Sequence, residues 1–214
     1  MAQLVSIPKP TLERLPRYLR VLYREKERGT AFISSGALGH ETGVDEFQVR
    51  KDLQYVKISG RPGKGYFIDD LIYSIEELLG LNKVNEAIVI GAGRLGQAIS
   101  LYPGFDRYGL RIVALFDNDP FKIGQKVGNK PILNVAKMPE LIRRMAIPMA
   151  VITVPAEHAQ AVADQAILGG VRALWNFAPV VLEVPPGVHV RNEDLAVGLA
   201  SLSHHLAKAT KRRI

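Results

Sequence analysis

Ala87-Ile88-Val89-Ile90-Gly91-Ala92-Gly93-Arg94-Leu95-Gly96-Gln97-Ala98-Ile99-Ser100-Leu101 is the stretch that decides the fold of this chain. Four apolar residues, three glycines spaced G-x-G-x-x-G and a helix-forming run follow one another without a gap. The glycines alone are a weak signal, because the spacing arises by chance. A strand directly before them and a helix directly after supply the context the motif requires. Gly91 makes the tight turn, Gly93 lets the backbone approach a pyrophosphate, and Gly96 allows close helix–strand packing. The start of the helix turns N–H groups toward the anion. Ala92, Arg94 and Leu95 complete the loop.

Working outward toward the C terminus, Arg111-Ile112-Val113-Ala114-Leu115-Phe116 reads as a second strand, and Asp117 ends it 21 positions after Gly96. A carboxylate there accepts hydrogen bonds from an adenosine ribose and repels a 2′-phosphate, which favours NAD(H) over NADP(H). The alternative is an ordinary turn acid in Asp-Asn-Asp-Pro. Further apolar runs lie at 150–154, 173–177 and 188–190, with helical segments at about 94–102, 139–146 and 156–168. Apolar strands alternating with helices predict an α/β fold, a Rossmann-like parallel sheet covered on both faces. In such a sheet, ligands sit outside the carboxyl ends of the strands. Thr153-Val154-Pro155 and Asn176-Phe177-Ala178 are therefore expected near the nicotinamide, unless Pro155 and Pro179 merely end strands.

The first eighty residues have a different texture. Leu12, Leu15, Leu19 and Leu22 make one helical stripe, with Pro16 inside it, so a short turn from Thr11 and a regular helix from near Pro16 are expected. Ser34 or Ser35 caps a short helix through about Glu41, and Gly43 breaks it. Asp45 with Gln48 is a capping-box variant opening a helix to about Val56. Residues 57–68 read as strand, Gly/Pro turn and strand, and Asp70 caps one more helix ending at Gly80. This is the layout of a winged helix-turn-helix, with the domain boundary at Gly80–Lys83. The expected divisions are 1–80, 81–191 and 192–214, the last a helix from about Asn192 to Lys208 with Leu195, Leu199, Leu202 and Leu206 on one stripe.

The chain has 214 residues, a net charge of +7, five His and no Cys. Absent cysteine excludes disulfides, thiolate zinc sites and a thiol nucleophile. No run of about 18 apolar residues reads as a membrane span, and the polar start is unlike a secretory signal, so a cytoplasmic protein is expected. No His-x-x-x-His pair or acidic cluster suggests a metal. Residues 47–67 hold Arg50, Lys51, Lys57, Arg61 and Lys64 against Asp52 alone; such a cluster suits a polyanionic partner, but on charge alone a solvated face is the favoured reading. The helical wheel adds to it. Val49, Leu53 and Val56 share one arc, while Phe47, Arg50, Lys51 and Gln54 project opposite, with a chemistry suited to a major groove. Arg61 and Lys64 on the hairpin are placed for a minor groove or backbone. No catalytic residue is assigned. Two other classes stay open on the residues: an NAD-dependent dehydrogenase with a helical accessory domain, and an interaction protein whose basic helix meets another protein.

Several stretches together resemble the bacterial Rex family of redox-sensing transcriptional repressors over nearly the whole chain. They are Arg14-Leu15-Pro16, Phe47-Gln48-Val49-Arg50-Lys51-Asp52-Leu53, Gly63-Lys64-Gly65-Tyr66, Gly91 to Gly96, Tyr102-Pro103-Gly104-Phe105, Phe116-Asp117-Asn118-Asp119-Pro120 and Asn176-Phe177-Ala178-Pro179-Val180-Val181. The matched stretches add Gln48 to the DNA-facing set and Asn118 to the nucleotide set. The resemblance implies a homodimer on a double-stranded inverted-repeat operator, released by NADH, with NAD⁺ competing without release. It further implies a terminal helix swapped between subunits and a redox relay of Arg14, Tyr102 and Asp194. The chain departs from the family's commoner pattern at Gln54-Tyr55-Val56-Lys57, Leu195 and His204-His205.

Overall fold

The structure, a computed structural model, describes residues 7–83, 85–194, 196, 197, 203 and 206. It consists of two compact units, Met1–Lys83 and Val84–Ile214.

In the first unit, α1 (Lys9–Glu27) runs unbroken through Pro16. The expected break is absent, and magnitudes explain why. An interior proline costs about 3 kcal/mol, whereas burying one large apolar side chain contributes about 1.5–3 kcal/mol. Leu15, Tyr18, Leu19 and Leu22 are all fully buried, so both halves of the helix are held on one core. Leu12 does not share that stripe and is 39% exposed.

β1 (Phe32–Ile33) leads to α2 (Ser35–Thr42), which starts where Ser34 Oγ accepts the Ala37 N–H and stops at Gly43 in the left-handed region. α3 (Glu46–Tyr55) starts where Asp45 accepts the N–H groups of Phe47 and Gln48. The Gln48 side chain turns along the helix toward Asp52, its Nε2 donating to Oδ1 at 2.9 Å. Val49 and Leu53 anchor α3 in the core.

The expected hairpin is also changed. β2 (Tyr66–Phe67) pairs antiparallel with β1, and the 57–65 loop holds a single bridge, Arg61 to Gly65. Pro62 has no N–H to give a ladder. Gly65, at φ +87°, lies so close to β1 that a side-chain carbon would collide with the Ile33 carbonyl oxygen. α4 (Ile68–Leu79) then starts at once, two residues before Asp70, because the Ile68 N–H is met by the Ala31 carbonyl at 3.0 Å. Asp69 and Asp70 sit in its first turn, where acids favour the helix dipole.

The second unit is a seven-stranded sheet of β3 (Asn85–Ile90), β4 (Leu110–Asp117), β5 (Lys126–Val127), β6 (Lys130–Asn134), β7 (Met149–Ile152), β8 (Ala173–Asn176) and β9 (His189–Asn192). Their spatial order is β5-β6-β4-β3-β7-β8-β9. All pairs are parallel except β5 with β6. α5 (Arg94–Ser100), α6 (Met138–Met145) and α7 (Ala156–Gly169) provide helical cover. The β5–β6 hairpin turns at Gly128-Asn129, a two-residue turn signal that the alternating strand–helix reading passes over. The chain reverses its order of strand addition between β3 and β7, so the ends of these two strands border the crevice where such sheets bind ligands.

β9 extends to Asn192, so the terminal helix cannot begin there. Residues 196, 197, 203 and 206 are helical. Leu195, Leu199, Leu202, His204, His205 and the basic positions 208 and 211–213 lie outside the described residues.

Candidate functional site

A cleft of about 640 Å³ opens at the β3–β7 crevice, within the size range of ligand pockets. Its floor is the glycine loop. Gly91 takes φ +103° and its N–H donates to the Phe116 carbonyl at 2.7 Å. A side-chain carbon at Gly96 would collide with the Gly91 carbonyl oxygen, whereas one at Gly93 would meet nothing within 4 Å. The loop is therefore packed on its inner side and open at Gly93, the cradle that a pyrophosphate needs. Thr153 Oγ1 donates to the carbonyls of Gly91 and Ile90, at 2.9 and 3.1 Å, and ties the end of β7 to the loop.

Asp117 organises the far side. Its Oδ2 accepts the Ala92 N–H at 2.8 Å and Lys122 Nζ at 3.2 Å, and its Oδ1 accepts the Asp119 N–H at 2.9 Å. Burial pushes this carboxyl up, but the two backbone N–H groups and the lysine outweigh it and hold it below its ordinary value. The hydrogen bond to Asp117 holds the Lys122 ammonium above its ordinary value. Of the residues expected to bind nucleotide, Gly91, Gly93, Asp117, Asn118, Thr153, Val154 and Pro155 line the cleft.

The rest of that set is placed otherwise. Ala92 and Gly96 are buried beneath the loop, and Arg94 and Leu95 are exposed on α5. Asn176 is fully buried and holds its own turn, donating to Ala178 O, Val180 O and Asn192 Oδ1 and accepting the Ala178 N–H. Phe177 packs on Trp175 with centroids 4.8 Å apart. Sequence reasoning missed Lys122, Val135 and His158 as lining residues. For Lys122 the signal was available, a cation five positions after Asp117.

On the first unit, Phe47 is 69% exposed, and Arg50, Lys51 and Gln54 are exposed beside it on α3. The Arg50 guanidinium lies over the Phe47 ring at 4.8 Å and pairs with Glu46 at 3.0 Å. Arg61 and Lys64 are exposed, their cationic groups 5.4 and 5.9 Å from the Phe32 ring. Gln48 is half-buried, and its amide donates to Asp52 Oδ1.

Asp52 is the residue whose importance the sequence did not reveal. It is fully buried. Oδ1 accepts from Thr11 Oγ1 at 2.9 Å, Arg14 Nη2 at 2.8 Å and Gln48 Nε2 at 2.9 Å. Oδ2 accepts from Arg14 Nε at 2.6 Å and the Tyr18 hydroxyl at 2.7 Å. Burial pushes Asp52 up, and these donors more than offset it, holding the carboxyl below its ordinary value. The same contacts raise Arg14, while burial, ahead of the Asp52 contact, raises Tyr18. Thus Arg14, expected to pair with Asp194, is engaged by Asp52. Tyr102 is exposed and packs edge-on against Phe105 at 5.0 Å, which in turn meets Trp175 at 5.7 Å. Asp194 is exposed and accepts the Ala196 N–H at 2.8 Å.

The chain is matched by two family profiles, a putative DNA-binding protein N-terminus over residues 6–54 and a CoA binding domain over 82–180. It is 43% identical over 201 residues to the redox-sensing transcriptional repressor Rex of Chloroflexus aggregans, covering 94% of this chain and 95% of that one. It is 42% identical over 204 residues to the same-named protein of Pelotomaculum thermopropionicum, covering 95% and 96%. Among solved structures, RSP in complex with β-NAD⁺ and operator DNA matches with TM-score 0.90 and 32% identity over 98% of this chain and 96% of that one. RSP in complex with β-NADH matches with TM-score 0.85 and 32% identity over 97% of each chain. RSP is described as a Rex-family repressor.

Proposed function

Because the chain belongs to the Rex family of redox-sensing transcriptional repressors, we propose that it binds operator DNA and leaves it when NADH occupies the β3–β7 cleft. The observation that carries this reading is the likeness, over 98% of the chain, to a repressor solved with both β-NAD⁺ and operator DNA. We assign DNA reading to residues 1–80, nucleotide binding to 81–191, and dimerisation to the helix and tail of 192–214. The nucleotide is a signal in this reading, differing between its two forms by a hydride and the ring charge, and no catalytic residue is assigned. The dehydrogenase alternative is not favoured. A symmetric dimer suits an inverted repeat because both share a two-fold axis. Among the described residues no helix is long and apolar enough to cross a membrane; a DNA-bound sensor of NADH is assigned to the cytoplasm.

The test is a fluorescence-anisotropy titration on an inverted-repeat duplex, with NADH and NAD⁺ added separately. NADH is expected to release the DNA and NAD⁺ to compete without release. DNA release by neither nucleotide overturns the reading.

Within the DNA face, Arg50 and Lys64 are expected to behave differently. Arg50→Ala costs about 1–3 kcal/mol and relaxes selectivity at one base pair, as loss of a guanine contact does. Lys64→Ala weakens all sequences alike and lowers the salt slope by about 1. Parental binding by both variants removes α3 and the 61–65 loop from the interface.

The relay residues make a separate expectation. A ligand moves an equilibrium only by its differential affinity for the two states, and a shift from 1:99 to 99:1 needs about 5.5 kcal/mol. A single charge supplies less than that, so a partial shift is expected, and Asp194, a carboxylate that the family resemblance pairs with Arg14 or Tyr102, is proposed to convert the nicotinamide charge into it. Its bond to Ala196 N–H is a local cap worth about 1 kcal/mol. Asp194→Ala is therefore expected to fold and bind NADH, yet to release DNA poorly. Parental release by NADH removes Asp194 from the switch.

A further inference from the structure

The carboxylate of Asp117 is heavily used before any ligand arrives. It accepts from Ala92 N–H, Asp119 N–H and Lys122 Nζ. A carboxylate offers about four acceptor positions, so roughly one is left on Oδ1 for a sugar hydroxyl. Lys122 is fixed from several sides. Its backbone N–H donates to the Asp119 carbonyl at 3.1 Å, and Asp119 caps the same turn by accepting the Phe121 N–H at 2.9 Å. The ammonium stands 3.2 Å from Asp117 and 3.5 Å from Asp119, and the side chain is 35% exposed. Lys122 and Asp117 line the same cleft.

An acid at the end of this strand disfavours a 2′-phosphate by like-charge repulsion. In this chain the acid carries a lysine against it, so an arriving phosphate meets a charge pair rather than a bare carboxylate. We propose that Lys122 is a specificity-determining residue of the cleft: held by Asp117 it leaves the cleft selective for an unphosphorylated adenosine ribose, and freed from Asp117 it binds the 2′-phosphate of NADP(H). The proposal rests on reading the cleft as an NAD(H) site.

The experiment measures NADH and NADPH dissociation constants by calorimetry for the full-length parent, Lys122→Ala, Asp117→Asn and the double variant. Asparagine removes the charge and keeps one acceptor oxygen, enough for the Ala92 or the Asp119 N–H but not for both, since these meet different oxygens; the melting profile of each variant reports whether the loop stays held. Asp117→Asn is expected to raise NADPH affinity relative to NADH at least tenfold. Adding Lys122→Ala is expected to erase that gain. Lys122→Ala alone is expected to weaken NADPH at least fivefold more than NADH, since Asp117 is then uncompensated. A double variant that keeps the tenfold gain, or a single Lys122 variant that changes both dinucleotides equally, overturns the proposal. A parent that binds neither dinucleotide, with an unchanged melting profile across the variants, overturns the NAD(H) reading itself and the proposal with it.

Discussion

Asp52→Ala is expected to remove about 3–5 kcal/mol from the unfolding free energy of the N-terminal unit and, with it, most of the DNA affinity. The magnitude is that of breaking a buried ion pair from one side. Five donor contacts from four side chains lose their acceptor, and the Arg14 guanidinium, 21% exposed, is left without the partner that neutralises it. Set against a typical domain stability of about 5–15 kcal/mol, that leaves α3 loosely held against α1. Urea unfolding of the parent and variant, alongside DNA anisotropy, measures both effects. NADH binding in the other unit serves as the control and should be unchanged. Equal urea midpoints would show that the buried carboxylate contributes nothing net.

The acid dependence follows from the same residue. Asp52 has a folded pKa below its ordinary value, so its contribution is complete above the unfolded value of about 4 and disappears as pH falls through the folded one. The stability difference between parent and Asp52→Ala should therefore be flat from pH 7 to about 5 and shrink in stronger acid. Taking the difference cancels Asp117 and Glu41, which are lowered in both proteins. A difference that grows on acidification would reverse the sign and exclude Asp52 as an ionised acceptor.

The second large effect is expected at the glycine loop. Gly96→Ala puts a carbon onto the Gly91 carbonyl oxygen and 2.7 Å from Thr153 Oγ1. Both are held, the one by the turn and the other by its bonds to β3, so α5 must move off the sheet. Forced overpacking of this kind costs about 1–3 kcal/mol. Nucleotide affinity is expected to fall well over tenfold, about 1.4 kcal/mol or more, while nucleotide-free DNA binding persists and release by NADH is lost. Gly93→Ala is the contrasting variant. Its added carbon meets nothing in the chain, so the melting temperature should stay parental while NADH affinity falls, because the carbon lies where the backbone must approach the pyrophosphate. NADH titrations of Gly96→Ala with the parental midpoint would show that this helix–strand contact does not shape the cleft.

Much of the molecule was legible in the sequence because its causes are local. The strand, glycines and helix of 87–101, and the acid at 117, follow from hydrophobic periodicity and from backbone positions that only glycine fits. The helix stops at Gly43 and Gly80 follow from the same steric rule, and both take left-handed φ. The caps at Ser34 and Asp45 are read from residues two or three apart. Pro16 misled for an instructive reason: its penalty is local, and the core contacts that override it are not. The 57–65 loop misled likewise, since β2 found its partner in β1, more than thirty residues upstream.

What only the tertiary structure decided is which charges meet. Asp52 reads as a stray acid in a basic stretch, yet its partners lie 34 to 41 positions away as well as one turn back on α3. Asn176 reads as a ligand contact, and the structure gives it the further task of bracing its own turn from a buried position. The Ala92 N–H that holds Asp117 comes from 25 residues earlier, delivered by the parallel pairing of β3 with β4. Periodicity and glycine spacing constrain a residue by its neighbours in the chain. The partner of a buried polar group is set by which distant donor the packed core brings within about 3 Å, because leaving such a group unsatisfied costs as much as the packing gains.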